Sequence, residues 1–548
     1  MIILFSLIPT LICFDYKGIL NRDLHHIRNE LINGSLIEGR LSIKDVENLF
    51  TELEKTTSLV HSQQIGQSYL NKTIYSYSLC SNFTQQKPMM LITSLHHSRE
   101  VASLQMNIYL FLYILWEVEH EKNPFYINMI THNCILIVPF VNIDGYSEIE
   151  AEFNKRNLLP KTRKNLNRTI LCSEEGELAG VDINRNYGYQ FAYDNIGSSD
   201  DPCDEAYRGS VAFSEKETQA IKYVVENYNV KMAMNLHSFG NKWLLPYSYG
   251  KEELDKDGIP YKIYEDFKQN GRFQGHYKIG HAQELIQYTA NGEAADWMLS
   301  KGIIAICPEL GEQTYSNILA NFFPDQEKTL QLFQTEFPPL IDFINYLPFK
   351  PVIKNFYQYS QDDVQRLTKT LSENQYLVDI ECVNQGVSSG SDHYFVVSDT
   401  VQLIEAYYIE MKYDRIYDRD KIQFNILNKI EFENNTISTF QFSPRSKIIY
   451  FLILQEIQNE NEMKFYFDLN GIDHENTFTL KDFHQMQNKQ KMHFNYIFYI
   501  GLMILLAMVI AILLKIGFRK QIIKKHQNIT ELIEQKPEQI ELHVQMMK

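Results

Sequence analysis

The sequence predicts an α/β domain with a mixed, mostly parallel sheet and helices on both faces, followed by a smaller all-β sandwich and one transmembrane helix. Three observations carry this. Between residues 42 and 347, short apolar runs alternate with longer helical stretches, the pattern of strands joined by helical crossovers. From 348 to 482 the pattern changes to short segments of alternating polarity, which reads as a β-sandwich. Tyr496 to Leu514 carries no charge and is about the length that crosses a hydrocarbon core as a helix.

The elements follow in chain order. Ser42 is a plausible N-cap for a helix running to Leu59. Strands are expected at Ile74–Cys80 and Met89–Leu95, a long apolar helix from Ala102 to Val118, and a strand at Cys134–Val141. Helix Glu215–Asn227, strand Lys231–Leu236, a helix near Ala294–Ser300 and strand Ile303–Ile306 complete the domain. Beyond Pro348 the strand-like segments are Tyr376–Val383, His393–Val397, Ile404–Tyr413 and Lys447–Leu454.

The 548 residues allow about three domains, and 44% hydrophobic with 22% charged residues is a globular balance. A net charge of −16 excludes nucleic acid as a partner, because phosphate neutralisation needs clustered Lys and Arg. Met1 to Cys13 is too short to span a bilayer and reads as a signal peptide, although its start lacks a positive charge. Residues 14–41 form an N-terminal extension and 483–495 a stalk. Lys515, Arg519, Lys520, Lys524 and Lys525 follow the apolar segment, whereas only Lys489 and Lys491 closely precede it. That bias puts residues 515–548 in the cytosol as a tail and everything before the span in the lumen or outside the cell. Sequons at Asn33, Asn71, Asn82, Asn167 and Asn434 lie on that side. In an oxidising compartment Cys172 and Cys203, which bracket a loop-rich stretch, are expected to bond, and Cys80, Cys134, Cys307 and Cys382 to be buried thiols.

The chemistry gathers at strand ends. Strand 89–95 runs into His97 and Glu100, and about 140 residues later another strand ends in His237. Parallel strands deliver their carboxyl ends to one edge, where a His₂Glu set can hold catalytic zinc and keep a position open for water. Strand 303–306 delivers Glu309 to the same edge. Each residue alone is as readily a capping or solvated loop group, and sixteen histidines make a chance His-x-x-Glu easy to find. The joint arrangement is what argues for a metal.

Six separated motifs occur in one order: HSRE at 97–100, KTRKN at 161–165, VDINRNYGY at 181–189, NLHSF at 235–239, YTANGEAADW at 288–297 and ELGE at 309–312. VNIDGY at 141–146 and the DPC, YRG and FSEKET segments of 201–218 add to them. Over residues 42–347 the chain therefore resembles the zinc metallocarboxypeptidases of the carboxypeptidase A/B kind. The resemblance implies one Zn²⁺ on His97, Glu100 and His237, with Asp182 accepting from His97, Glu309 as general base and Arg163 steadying the oxyanion. It implies that Asn184 and Arg185 clamp the free carboxylate of a peptide or protein C-terminus, that Tyr288 closes over it, and that Arg99 serves an auxiliary subsite. The terminal side chain would meet Ala295, Ser248 and Ala290, which suggests neutral or apolar residues, with Glu293 close enough in sequence to admit basic ones. The extension, about 27 residues, is shorter than the digestive members' inhibitory prodomain, and the β-domain with an anchor resembles the layout of the regulatory members. Two rivals are a catalytically dead, membrane-tethered binding protein and a zinc deacylase of N-acyl amino acids on the same fold.

Overall fold

A computed structural model describes residues 41–348 apart from 173–177, 251, 274–276 and 313–317, together with the strands of 351–468 and a few residues beside them. The expected signal peptide, extension, stalk, membrane span and tail lie outside the described residues, as do Asn33 and Asn434.

The opening helix α1 (Ile43–Thr56) starts where the sequence placed it, because Ser42 and Asp45 form a reciprocal capping box. Its buried Val46, Leu49, Phe50 and Leu53 recur at helical spacing, and Phe50 stacks on Tyr77 at 3.7 Å. Strands β1 (Val60–Gln67) and β2 (Thr73–Leu79) pair antiparallel. Then come β3 (Met89–Thr93), α2 (Val101–Glu119), α3 (Pro124–His132), β4 (Cys134–Val138) and α4 (Ile143–Arg156). A short ribbon, β5 (Ile170–Leu171) with β6 (Leu178–Ala179), precedes α5 (Lys216–Asn227), β7 (Val230–Asn235), β8 (Lys242–Leu245) and α6 (Ile259–Asn270). The domain ends with β9 (Lys278–His281), α7 (Ala282–Leu285), α8 (Ala294–Ser300), β10 (Ile304–Glu309), α9 (Ile318–Phe322), α10 (Gln326–Thr335) and α11 (Phe337–Ile344).

The main sheet has eight strands in the order β1-β2-β4-β3-β7-β10-β8-β9. Its centre, β4-β3-β7-β10, is parallel, and β2 and β8 flank it antiparallel. The central strands MMLIT and CILIV are buried at every position, as strands covered on both faces must be. Helix α2 is long and apolar enough to cross a membrane, yet 83% of its apolar window is buried inside the domain. Tyr109 in α2 stacks on Phe333 of α10 at 4.3 Å, so α2 is a core helix under a second layer.

From residue 351 the described elements are strands in two antiparallel sheets. One joins Pro351–Gln358, Gln375–Asn384, Ser446–Glu456, Val401–Lys412 and Asn428–Lys429, and the other Phe432–Glu433, Thr436–Ser438, Tyr394–Val397 and Phe465–Asp468. Leu377, Ile449, Phe451 and Ile453 form a small apolar cluster on the first sheet.

Two disulfides are present among the described residues. Cys172–Cys203 is the bond expected from sequence, whereas Cys80–Cys134 corrects the expectation of two buried thiols. Leu79 lies opposite Ile135 in the β2–β4 register, so Cys80 and Cys134 come together with Cα atoms 4.8 Å apart. Non-adjacent strands become neighbours only through topology, which spacing along the chain does not reveal. Cys307 and Cys382 are free and buried, as expected. Closing the 54-residue loop contributes about 4 kcal/mol in the chain-entropy model. Non-reducing peptide mapping is expected to recover both bridged pairs, and a free thiol on Cys80 would contradict the pairing.

Burial also sets a pH dependence. Glu217, fully buried at the start of α5, accepts from Asn165 Nδ2 at 3.1 Å, but burial pushes its carboxyl up to about 7. Glu336, equally buried, is pushed up to about 8 by the same cause. Both groups keep their proton in the folded state after the unfolded chain has lost it. Stability is therefore expected to fall as pH rises from about 4.5 towards 8 and then to level off. Urea melts at pH 5, 6, 7 and 8 check this, and Glu217→Gln should flatten the slope; an unchanged slope in that variant would contradict it.

Candidate metal centre and active site

The loop after β3 turns His97 inward and leaves Glu100 as the N-cap residue of α2. Residue His237 follows β7, its backbone tied to β10 by His237 N–H to Pro308 O at 2.9 Å. The parallel β3–β7 pairing thus brings together side chains 140 positions apart. Glu100 Oε1 lies 2.6 Å from His97 Nδ1, and Oε2 lies 2.9 Å from His237 Nδ1. The two Nδ1 atoms face each other at 3.2 Å. All three ligand atoms fall within 4.8 Å of one another, and all three residues are buried. Three buried donor atoms converge here, and their N₂O set is that of catalytic zinc, so the residues fit Zn²⁺. Burial holds the His237 imidazole below its ordinary range, in the neutral form that ligates.

Supporting groups orient this set. His97 Nε2 lies 3.2 Å from Asp182 Oδ1. Arg163 donates from Nε and Nη2 to Asp182 Oδ2 at 3.0 and 2.6 Å, and its Nη1 lies 3.2 Å from His97 Nδ1. Burial opposes ionisation of Asp182, but the charges of Arg163 and His97 hold its carboxyl well below the usual range. Sequence alone could shift KTRKN by three residues; the fork onto Asp182 fixes Arg163 beside the metal ligands.

Glu309 ends β10 and lines the same cavity without belonging to the ligand set. Burial and then the charge of Glu100 push its carboxyl up to about 8, with Arg163, Lys242 and Arg185 opposing. A cation on the ligands adds to that opposition and favours the carboxylate.

Asn184 and Arg185 lie in a 3₁₀ turn (Ile183–Arg185) capped by Asp182, whose Oδ1 accepts the Asn184 N–H. Arg185 donates from Nε to Gly197 O and from Nη1 to Asn184 O, and it lines the cavity. Gly292 has φ +69°, and a Cβ there would sit 2.3 Å from Arg185 O, so only glycine lets the 288–297 segment approach this turn. Tyr288 stands at the cavity with half its surface exposed. Arg99 donates to Lys161 O and Glu205 and lies 4.6 Å over the Phe322 ring.

The cavity measures about 480 Å³. Ser248 and Ala290 line it, but Ala295 does not: it is 2% exposed and packed in the core with α8. Among the further residues lining the cavity that the sequence did not assign to it are Lys242, Cys307 and Glu293, the last weighed only as a neighbour. Lys242 comes to the site because it pairs with Glu309 across β8 and β10, a register that no motif in the sequence announces. His96 is buried behind the ligands, with Nε2 2.8 Å from Tyr187 Oη and its ring on His237 at 5.4 Å.

A family model described as zinc carboxypeptidase matches residues 46–338, more than half of the chain. Mouse carboxypeptidase A4 is 25% identical over 295 residues, 52% of this chain and 67% of that protein. Carboxypeptidase B of the crayfish Astacus astacus is 26% identical over 47% of this chain and 79% of its own length. Bovine carboxypeptidase A1 is 28% identical over 45% and 55%. Among solved structures, thrombin-activatable fibrinolysis inhibitor aligns with 60% of this chain and 79% of its own at 21% identity and a TM-score of 0.47.

Proposed function

We propose, because the chain belongs to the zinc carboxypeptidase family, that it removes single C-terminal residues from peptides or proteins by activating water. The observation that carries this reading is that His97 and Glu100 of the metal-binding set, Glu309 and the Asn184–Arg185 turn all line one cavity, with His237 completing the set behind it. Zn²⁺ on His97, Glu100 and His237 supplies a Lewis acid and a water of lowered pKa. Glu309 takes the proton from the attacking water and passes it to the leaving amine. Arg163, held in place by Asp182, faces the developing oxyanion, where a fixed positive charge in a dry site counts most. Arg185 and Asn184 hold the free carboxylate, and Tyr288 closes over the terminal residue.

We place the catalytic domain outside the cytosol on a type I anchor at 496–514, with 348–482 as a separate β-domain. Two disulfides and the exposed sequon residues Asn71 and Asn82 support that placement. The test is a panel of N-blocked dipeptides against N-acyl amino acids. Dipeptide cleavage is expected; turnover of N-acyl amino acids alone would favour a deacylase, and turnover of neither a binding protein.

A further inference from the structure

One buried carboxyl in the cavity has no part in that chemistry. Glu293 is the N-cap residue of α8 and is 3% exposed, and its Oε2 accepts the Asp296 N–H at 3.0 Å. Capping thus accounts for one oxygen. The other, Oε1, is buried without a hydrogen-bond partner among the described residues, although Glu293 lines the catalytic cavity. A buried, half-satisfied carboxylate costs free energy that a bound cation would offset.

Most polar groups nearby have partners of their own. Both oxygens of Asp296 accept the Ser248 N–H, and Oδ2 also accepts that of Tyr249. The Asn184 amide lies 3.3 Å from His237 Nε2 and accepts the Ala294 N–H, and Arg185, which donates from Nε to Gly197 O and from Nη1 to Asn184 O, adds its charge beside Glu293. Leu244, Ala282, Leu285 and Ala290 give this part of the cavity apolar or small walls. Cys307 lies within the field of Glu293: burial and then that charge push its thiol well up.

We infer that the pocket for the terminal side chain takes a cationic residue, lysine or arginine, whose head pairs with Glu293 Oε1 while its methylene stem lies along the apolar wall. This rests on the proposed peptidase function and replaces the neutral pocket expected with Ala295 at its base. A long basic side chain matches such a site because its stem is apolar and only its tip carries charge. A leucine or phenylalanine would cover the carboxylate and leave it unpaired. An acidic residue would be selected only if Lys242, across the sheet from Glu309, outweighed Glu293.

The test uses the full-length, detergent-solubilised enzyme and blocked peptides that differ only in the last residue: Arg, Lys, Leu, Phe or Glu. Arg and Lys are expected to exceed Leu and Phe in kcat/KM by about tenfold or more, as for a buried charge pair against an unpaired carboxylate. Glu293→Gln, which keeps an oxygen to cap α8, should lower the Arg-to-Leu ratio by about thirtyfold or more. A wild-type preference for Leu or Phe, an unchanged ratio in the variant, or a preference for terminal Glu would each overturn the inference. The wild-type ranking decides the matter even if the variant fails to fold. Cleavage with Leu above Arg would leave the peptidase function standing, whereas turnover of no peptide at all would overturn both.

Discussion

Glu309→Gln is expected to lower kcat by about three to four orders of magnitude with the bound metal unchanged. Glutamine keeps the shape and one hydrogen-bonding oxygen but cannot take a proton. Without a base, the attacking water must lose its proton to solvent, and the leaving amine must find one there. A thousandfold loss is about 4 kcal/mol of barrier, within what a positioned acid–base group contributes. Metal content should hold because Glu309 lies outside the His97, Glu100 and His237 set. Steady-state rates with elemental analysis measure both, and full turnover in the variant would remove Glu309 from proton transfer.

Arg185→Gln is expected to reduce kcat/KM on peptides with a free C-terminus by about a hundred- to a thousandfold, because two charge-assisted hydrogen bonds to a carboxylate are lost. Arg185 also donates to Gly197 O and Asn184 O, so the loss alone would not separate binding from local structure. Peptides with an amidated C-terminus make the separation. The wild type should favour the acid strongly over the amide, and the variant should scarcely distinguish them. A variant that keeps the preference would mean that another group recognises the carboxylate.

Much of the arrangement could be read from the chain because it depends on local rules. Fully apolar runs such as MMLIT and CILIV announce buried parallel strands, and the residues just past their ends converge on one edge. His97, Glu100 and His237 are of that kind, as is Glu309 at the end of β10. What was not legible depends on which strands become neighbours and which way a side chain turns. The Cys80–Cys134 bond requires knowing that β2 pairs with β4. The pocket turned on rotation along 288–297: Ala295 packs into the core, whereas Glu293, two residues earlier, lines the cavity. Motif matching placed Ala295 by position, and only the capping geometry of α8 shows which side chain faces inward. Lys242 joined the site through sheet register rather than through any motif.

The most direct measurement is zinc content with peptidase activity before and after chelation. The predicted result is one Zn²⁺ per chain, cleavage of blocked dipeptides that stops when the metal is stripped, and recovery when Zn²⁺ is returned. Undiminished cleavage by the metal-free protein, or a zinc-loaded protein that cleaves no free C-terminus, would contradict it.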